Sequence, residues 1–315
     1  RELLQQLGNT PFYQKEKPSP LDEASQLTWY LGNIFYQAVG GILDSLGKYL
    51  PERSFNSEPL LSIGFWPGGD RDGNPLVTSH ITKKVSEKLR ARIIECYHKE
   101  IRSIKRRLSF SGVSNKIDEI EQRLHKELTN QIPASFSGPD ELISIVNKIQ
   151  TSLEIDYQGL FVDRLISFKR KIHAFGFHFA SLDIRQDSRV LAKTLEEVLK
   201  THPSILHPDF EDYSEDKKIE ALFAIENKLN LELIKDPVYL DTLNSLKEMK
   251  KIQEENGELA CHRYIISNCR GPLDIARLIA LFKLSGWNLK ELSVDIVPLF
   301  ETIKDLKNAA KSMDG

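Results

Sequence analysis

Cysteine is scarce in this sequence, with three residues in 315: Cys96, Cys261 and Cys269. Three widely spaced cysteines cannot build a disulfide scaffold. Cys261 and Cys269 also lack the short spacing and the accompanying histidines of a zinc site. An odd number of cysteines is typical of a reducing compartment, so we predict a cytoplasmic protein.

The sequence also lacks a strong excess of charge of one sign. It contains 43 Lys and Arg against 45 Asp and Glu, a net charge of −2. A nucleic-acid interface needs a strongly basic face, so no nucleic-acid partner is expected. Hydrophobic residues make up 40% and charged residues 28%, which excludes a disordered chain. At ~150 residues per domain, the length allows about two domains or one large α/β domain.

Long apolar runs are missing as well. None approaches the ~18 residues of a membrane span, and there is no signal peptide, so no membrane partner is predicted. HExxH, Gly-x-Ser-x-Gly and P-loop motifs are absent. The loop Asp70–Pro75 superficially resembles a calcium loop. However, its glycine stands at the fourth position and Ile81 occupies the twelfth, so calcium is rejected.

The first half of the chain has the periodicity of helices. Residues 19–22, Ser-Pro-Leu-Asp, form a predicted capping box that begins a helix. Apolar residues then recur at intervals of three and four, which predicts one helix with a buried stripe: Leu27, Leu31, Phe35, Val39, Ile42, Leu46 and Leu50. A longer helix is predicted to begin near Thr78 or Ser79. Weaker helical patterns cover 116–128 and 140–174.

The second half alternates between strand and helix patterns. Predicted strands cover 61–66, 177–184, 262–267 and 294–300. Predicted helices cover 188–200, 273–284 and 302–313, and two more lie within 214–230 and 237–255. Repeated strand–helix–strand units imply parallel strands joined by right-handed crossovers. We therefore expect these four strands to be parallel and adjacent in chain order.

Charged residues follow all four predicted strands. Arg71, Arg185, Arg270 and Glu301 each come after the carboxyl end of a strand. In parallel α/β folds this edge carries the chemistry. Two or three arginines suit a phosphate, and a glutamate suits Mg²⁺ or Mn²⁺. The alternative is that these residues form ion pairs that close loops, or that the Asp70–Pro75 loop is a self-paired turn.

The charged loop carries a family resemblance. FWPGGDRDGNP at 65–75 closely resembles the Gly-Gly-Asp-Arg-Asp-Gly-Asn-Pro signature of the phosphoenolpyruvate carboxylases. Five further segments are similar to segments of that family in the same order: KPSPLDE at 17–23, FG at 175–176, LDIRQ at 182–186, YIIS at 264–267 and VPLFET at 297–302. These ordered matches span nearly the whole chain, and together they are more specific than any one of them.

The resemblance implies a fold. The family is a helix-decorated (β/α)₈ barrel, so we expect a helix-rich α/β chain. It should form a partial TIM-type barrel of about four parallel strands with a large helical portion. The chain is expected to be a single piece over 1–315. Within it, 1–60 is a helical lead-in, 61–76 a strand plus charged loop, 77–175 long helices and 176–315 alternating barrel units.

The resemblance also implies an activity. The family joins phosphoenolpyruvate to bicarbonate, giving oxaloacetate and phosphate, with Mg²⁺ or Mn²⁺ as cofactor. Arg185 matches an arginine that binds the substrate phosphate. Glu301 matches one of two carboxylates that hold the metal. Asp70, Arg71 and Asp72 match a loop near the active-site mouth. The parent protein is expected to be a homo-oligomer, a tetramer by resemblance.

Three segments of the family pattern are not found in this sequence. The family's catalytic histidine lies in Thr-Ala-His-Pro-Thr, a context that neither His202-Pro203 nor His207-Pro208 has. The Ser-Asp-x-x-Lys-Asp segment, with the catalytic lysine and second metal carboxylate, and the Gly-Arg-Gly-Gly loop are also absent. Because the chain begins at Arg1 and stops at Gly315, we expect an internal fragment that is inactive alone.

Two other interpretations stay open at this stage. One is a catalytically dead, barrel-derived scaffold or binding module. The other is a different metal-dependent barrel enzyme acting on phosphoenolpyruvate or pyruvate.

Overall fold

The computed structural model describes residues 1–10, 18–55, 59–129, 135–226, 229 and 231–314, and Lys17 of the 17–23 match lies outside them. Within these residues the chain is a helix-rich α/β protein. The helices are α1 (Glu2–Asn9), α2 (Pro20–Tyr30), α3 (Tyr36–Leu46), α4 (Ser79–Lys105), α5 (Ser114–Leu128), α6 (Pro139–Asp156), α7 (Val162–Phe175), α8 (Ser188–Thr201), α9 (Glu215–Phe223), α10 (Pro237–Asn256), α11 (Pro272–Leu284) and α12 (Ile303–Asp314). The strands are β1 (Gly64–Phe65), β2 (Ser181–Leu182), β3 (Ile184–Asp187), β4 (Arg263–Ser267) and β5 (Asp295–Pro298). None of the helices described is long and apolar enough to cross a membrane.

The predicted capping box begins α2, but the predicted buried stripe is only partly correct. The Ser19 hydroxyl accepts a hydrogen bond from the Asp22 N–H, and the Asp22 carboxylate accepts one from the Ser19 N–H. A π-helical turn at Leu31–Phe35 separates α2 from α3. A π turn contains an extra residue, so the stripe does not continue in register beyond it. Leu31 and Val39 are buried, whereas the other five predicted members are exposed: Leu27, Phe35, Ile42, Leu46 and Leu50.

The long helix α4 begins where the sequence predicts. The Thr78 hydroxyl accepts a hydrogen bond from the Ile81 N–H, which caps the helix. Residues at spacings of three and four, such as Val85, Leu89 and Ile93, are fully buried. This helix packs against α2, α5, α7 and α10 and so forms the centre of the helical part.

The single helical pattern predicted over 140–174 is two helices in the structure. α6 ends at Asp156 and α7 begins at Val162. The backbone between them has positive φ at Gln158, Gly159 and Phe161, a conformation that no α-helix contains. The Tyr157 hydroxyl donates to the Ser111 carbonyl at 2.8 Å and fixes this turn.

The strands are parallel and adjacent in chain order, as predicted. β1 pairs with β2, and β3 pairs with β4, which pairs with β5. Only Asp183 separates β2 from β3. The strand predicted from Phe177 begins at Ser181 instead, because residues 177–180 form a turn with positive φ at Phe179. That turn buries its aromatic side chains against the helices, Phe177 beside Tyr97 of α4 and Phe179 beside Phe175 of α7.

His178, in that same turn, gives the fold a pH dependence. Burial, and then the nearby His262, lowers the pKa of His178 from 6.5 to about 4. Between these values the unfolded chain binds a proton that the folded chain does not. The free energy of unfolding therefore falls as the pH drops through this window.

When the pH falls from 6.5 to 4.5, we expect the free energy of unfolding of the parent to fall by about 2 kcal/mol more than that of the His178→Phe variant. Urea unfolding at the two pH values measures this difference. His207→Phe is the matched control, since the His207 side chain is mostly exposed. An equal pH dependence in all three proteins would contradict the assignment to His178.

Candidate active site

Arg185 occupies the centre of the cluster at the carboxyl end of the sheet. It lies in β3, two residues after Asp183, so the two side chains point to the same face. Asp183 accepts a hydrogen bond from Arg263 of β4 at 2.8 Å on that face. Arg185 lies two residues nearer than Asp183 to the carboxyl end of β3.

The loop at 68–75 is held beside Arg185 by its backbone. The Arg71 N–H donates to the Arg185 carbonyl at 2.9 Å, and the Arg185 N–H donates to the Gly69 carbonyl at 3.0 Å. The loop thus continues the parallel pairing of β1 beyond the end of that strand. This pairing fixes Asp70 and Asp72 relative to Arg185.

Three carboxylates surround the Arg185 guanidinium. Arg185 Nη2 lies 3.0 Å from Asp72 Oδ2 and 3.3 Å from Glu301 Oε1, and Nε lies 3.8 Å from Asp70 Oδ1. The guanidinium carbon also stands 5.5 Å from the centre of the Trp66 ring. Arg185 and Glu301 therefore lie on one rim, as the sequence predicts.

The cluster is acidic, with three carboxylates around the Arg185 guanidinium and with Arg189 near enough to interact electrostatically with Asp72 and Glu301. Burial raises the pKa of Asp70 above its usual value, and the charge of Arg185 opposes that shift. The loop is not a self-paired turn, because Asp70 and Asp72 pair with Arg185 rather than with Arg71.

The side chains of Arg71 and Arg270 do not join Arg185, contrary to the expected three-arginine rim. Neighbouring side chains of an extended segment point to opposite sides, so Arg71 faces away from the side that Asp70 and Asp72 take. Its Nη2 donates to Asp241 Oδ2 of α10 at 2.6 Å. Arg270 borders a separate cleft of about 280 Å³ with Arg277 and Glu215.

Sequence reasoning missed two acidic residues near the site. Asp187 caps α8, and its pKa is lowered chiefly by hydrogen bonds from Arg189, with a further bond from Asn268. An aspartate just before a helical pattern is a capping signal that could have found it. Asp241 stands inside α10, where nothing in the local pattern distinguishes it from a solvent-facing residue.

The residues at this rim provide only part of the ligand set that a divalent metal needs. The Glu301 side chain is about one-third exposed, and its carboxylate is the kind of ligand that Mg²⁺ and Mn²⁺ prefer. In the part of the chain that the structure describes, no three His, Cys, Asp or Glu side chains are grouped to hold a metal ion. Glu301 could therefore contribute one ligand, with the others coming from water or from elsewhere.

The family model described as phosphoenolpyruvate carboxylase matches residues 1–136 and 114–315. A phosphoenolpyruvate carboxylase of Prochlorococcus marinus (strain MIT 9312) is 27% identical over 95% of this chain and 37% of its own length. That of Shewanella halifaxensis is 27% identical over 99% of this chain and 39% of its own length.

A third relative shows the same level of identity. The phosphoenolpyruvate carboxylase of Nocardia farcinica is 27% identical over 84% of this chain and 34% of its own length. The chain thus spans less than two-fifths of the length of these relatives. Because the family model covers the whole sequence, the chain belongs to the phosphoenolpyruvate carboxylase family.

Proposed function

We propose that these 315 residues form part of the active site of a phosphoenolpyruvate carboxylase, which converts phosphoenolpyruvate and bicarbonate to oxaloacetate and phosphate. The observation that carries this proposal is the position of Arg185. It lies at the carboxyl end of parallel strands, within 3.3 Å of Glu301 and beside the loop that bears the family signature. In the proposed protein, Arg185 binds the substrate phosphate and Glu301 contributes a ligand to Mg²⁺ or Mn²⁺.

The proposed reaction uses the residues as follows. A bicarbonate oxygen attacks phosphorus, the bond from phosphorus to the enol oxygen breaks, and carboxyphosphate and the enolate of pyruvate form. The enolate carbon then bonds to CO₂ released from carboxyphosphate, which leaves phosphate. Arg185 stabilises the negative oxygens of the phosphoryl group throughout. The metal, when bound, adds positive charge near the developing negative charge.

We also propose a TIM-type barrel as the complete architecture. β5 is an edge strand among the described strands, and Val297 on it is 38% exposed. An open edge invites pairing, and closure into a barrel removes it. We also propose that the protein is cytoplasmic and forms a homo-oligomer, with a tetramer expected.

The test couples oxaloacetate formation to NADH oxidation through malate dehydrogenase, with phosphoenolpyruvate, bicarbonate and Mg²⁺ supplied. We expect turnover by the protein as its gene encodes it and none by the isolated 315-residue chain. The expectation rests on the histidine, lysine and Gly-Arg-Gly-Gly segments that these 315 residues do not contain.

Two outcomes would contradict the proposal. Turnover by the 315-residue chain, abolished in its Glu301→Gln variant, would show that the chemistry does not need those segments. No turnover by the encoded protein would favour a dead, barrel-derived scaffold or binding module instead.

A further inference from the structure

Asp241 of α10 connects three parts of the molecule that are distant in sequence. Its Oδ2 accepts a hydrogen bond from Arg71 Nη2 at 2.6 Å, although the two residues are 170 positions apart. Its Oδ1 accepts one from the Ser79 hydroxyl at 2.6 Å, and both oxygens lie within 3.2 Å of the Ser79 N–H. One carboxylate therefore joins α10, the first residue of α4 and the signature loop.

The Arg71 guanidinium depends on this carboxylate. The side chain of Arg71 is 5% exposed, and its Nε and Nη1 atoms have no hydrogen-bond partner among the described residues. A buried charge is costly unless it is paired. Among the described residues, Asp241 is the only ion-pair partner of Arg71.

The orientation of Arg71 sets the orientation of its neighbours. Its backbone N–H is already bonded to the Arg185 carbonyl, so the loop is fixed at this residue from both sides. With the Arg71 side chain held against Asp241 of α10, Asp70 and Asp72 lie on the other side of the loop, beside the Arg185 guanidinium. The contact with Asp241 therefore adds a side-chain restraint to the backbone pairing that sets the face of the two carboxylates.

We propose that Asp241 is a positioning residue for substrate binding. Through Arg71 it holds the signature loop in the orientation that places Asp70 and Asp72 against Arg185. This inference rests on the proposed function, because Arg185 is the group that would bind the substrate phosphate. Asp241 itself touches neither Arg185 nor the acidic cluster in the contacts that the structure gives.

The Asp241→Asn variant tests the proposal in the protein as its gene encodes it. Asparagine can keep the hydrogen bonds to Ser79 but loses the charge that Arg71 requires. We expect the KM for phosphoenolpyruvate to rise about 10-fold, the scale of one charge-assisted hydrogen bond, with a much smaller change in kcat. Asp236→Asn is the matched control, because Asp236 caps the same helix through the Val238 N–H and does not contact the loop.

A second readout does not depend on activity. Trp66 stands over Arg185, so 5-fluorotryptophan at this position reports the cluster by ¹⁹F NMR in the 315-residue chain. Its resonance, assigned with Trp66→Phe, should shift in Asp241→Asn and stay in place in Asp236→Asn. The resonances of Trp29 and Trp287 should not move in either variant.

The outcomes separate this inference from the proposed function. An inactive encoded protein would overturn the proposed function, while the Trp66 resonance would still test the link from Asp241 to Arg185. An active protein in which Asp241→Asn changes neither the KM nor the Trp66 resonance would overturn the inference alone. If Asp241→Asn does not fold, the double variant Arg71→Gln/Asp241→Asn removes both charges together. This double variant should fold and show the same shift of the Trp66 resonance. An unshifted Trp66 resonance in the double variant would also overturn the inference.

Discussion

Replacing Arg185 with alanine in the encoded protein is expected to lower kcat/KM for phosphoenolpyruvate about 10- to 100-fold. The variant loses a charge-assisted contact with the substrate phosphate, which is worth roughly 1.5–3 kcal/mol. The three carboxylates that now pair with Arg185 would in addition face the phosphate without that guanidinium between them. Steady-state kinetics at saturating bicarbonate and Mg²⁺ measure the change.

Arg277→Ala is the matched control for this experiment. Arg277 also pairs with an aspartate, Asp274, at 2.8 Å, but it lies on α11 and lines a different cleft. We expect its kcat/KM to stay within about twofold of the parent, because a single partly exposed ion pair contributes little. An unchanged kcat/KM in Arg185→Ala would remove Arg185 from the substrate site.

The largest effect on stability is expected for Gly69→Ala. A methyl group on Gly69 would overlap the backbone carbonyl of Asp183, which cannot move without disturbing β2 and β3. The loop would have to leave the strand and lose its two backbone hydrogen bonds with Arg185. We expect the free energy of unfolding to fall by about 3 kcal/mol, since overpacking and lost hydrogen bonds add together.

Gly73→Ala in the same loop is the control for Gly69→Ala. Gly73 has a φ of +70°, but a methyl group there would meet no atom within 4 Å. Only the left-handed backbone opposes this substitution, at a cost of about 1 kcal/mol. Urea unfolding should give a clearly lower free energy of unfolding for Gly69→Ala than for Gly73→Ala. Equal losses of stability in the two variants would contradict the close approach at Gly69.

Local signals were sufficient to predict much of the fold. The Thr78 cap, the Ser19–Asp22 capping box and the parallel order of the strands follow from rules that act within a few residues or within one strand–helix unit. The proximity of Arg185 and Glu301 follows from the same rules, because Arg185 lies in β3, Glu301 follows β5 and the parallel strands of one sheet run in the same direction.

The features that were missed depend on less local causes. The π turn at Leu31–Phe35 changes the register of α2 and α3, and no residue type announces such a turn. The break between α6 and α7 uses positive φ at two non-glycine residues, Gln158 and Phe161, which propensity does not anticipate. The partner of Arg71 lies 170 residues away inside a helix, so only the assembled fold shows it.

The most direct test of the central claim is a crystal structure of the encoded protein with phosphoenolpyruvate and Mn²⁺, in which anomalous scattering locates the metal. The account predicts Mn²⁺ at the Glu301 carboxylate and the substrate phosphate on the Arg185 guanidinium, with the ion pairs to Asp72 and Glu301 broken or lengthened. A ligand bound elsewhere, with Arg185 still 3.0 Å from Asp72 and 3.3 Å from Glu301, would contradict it.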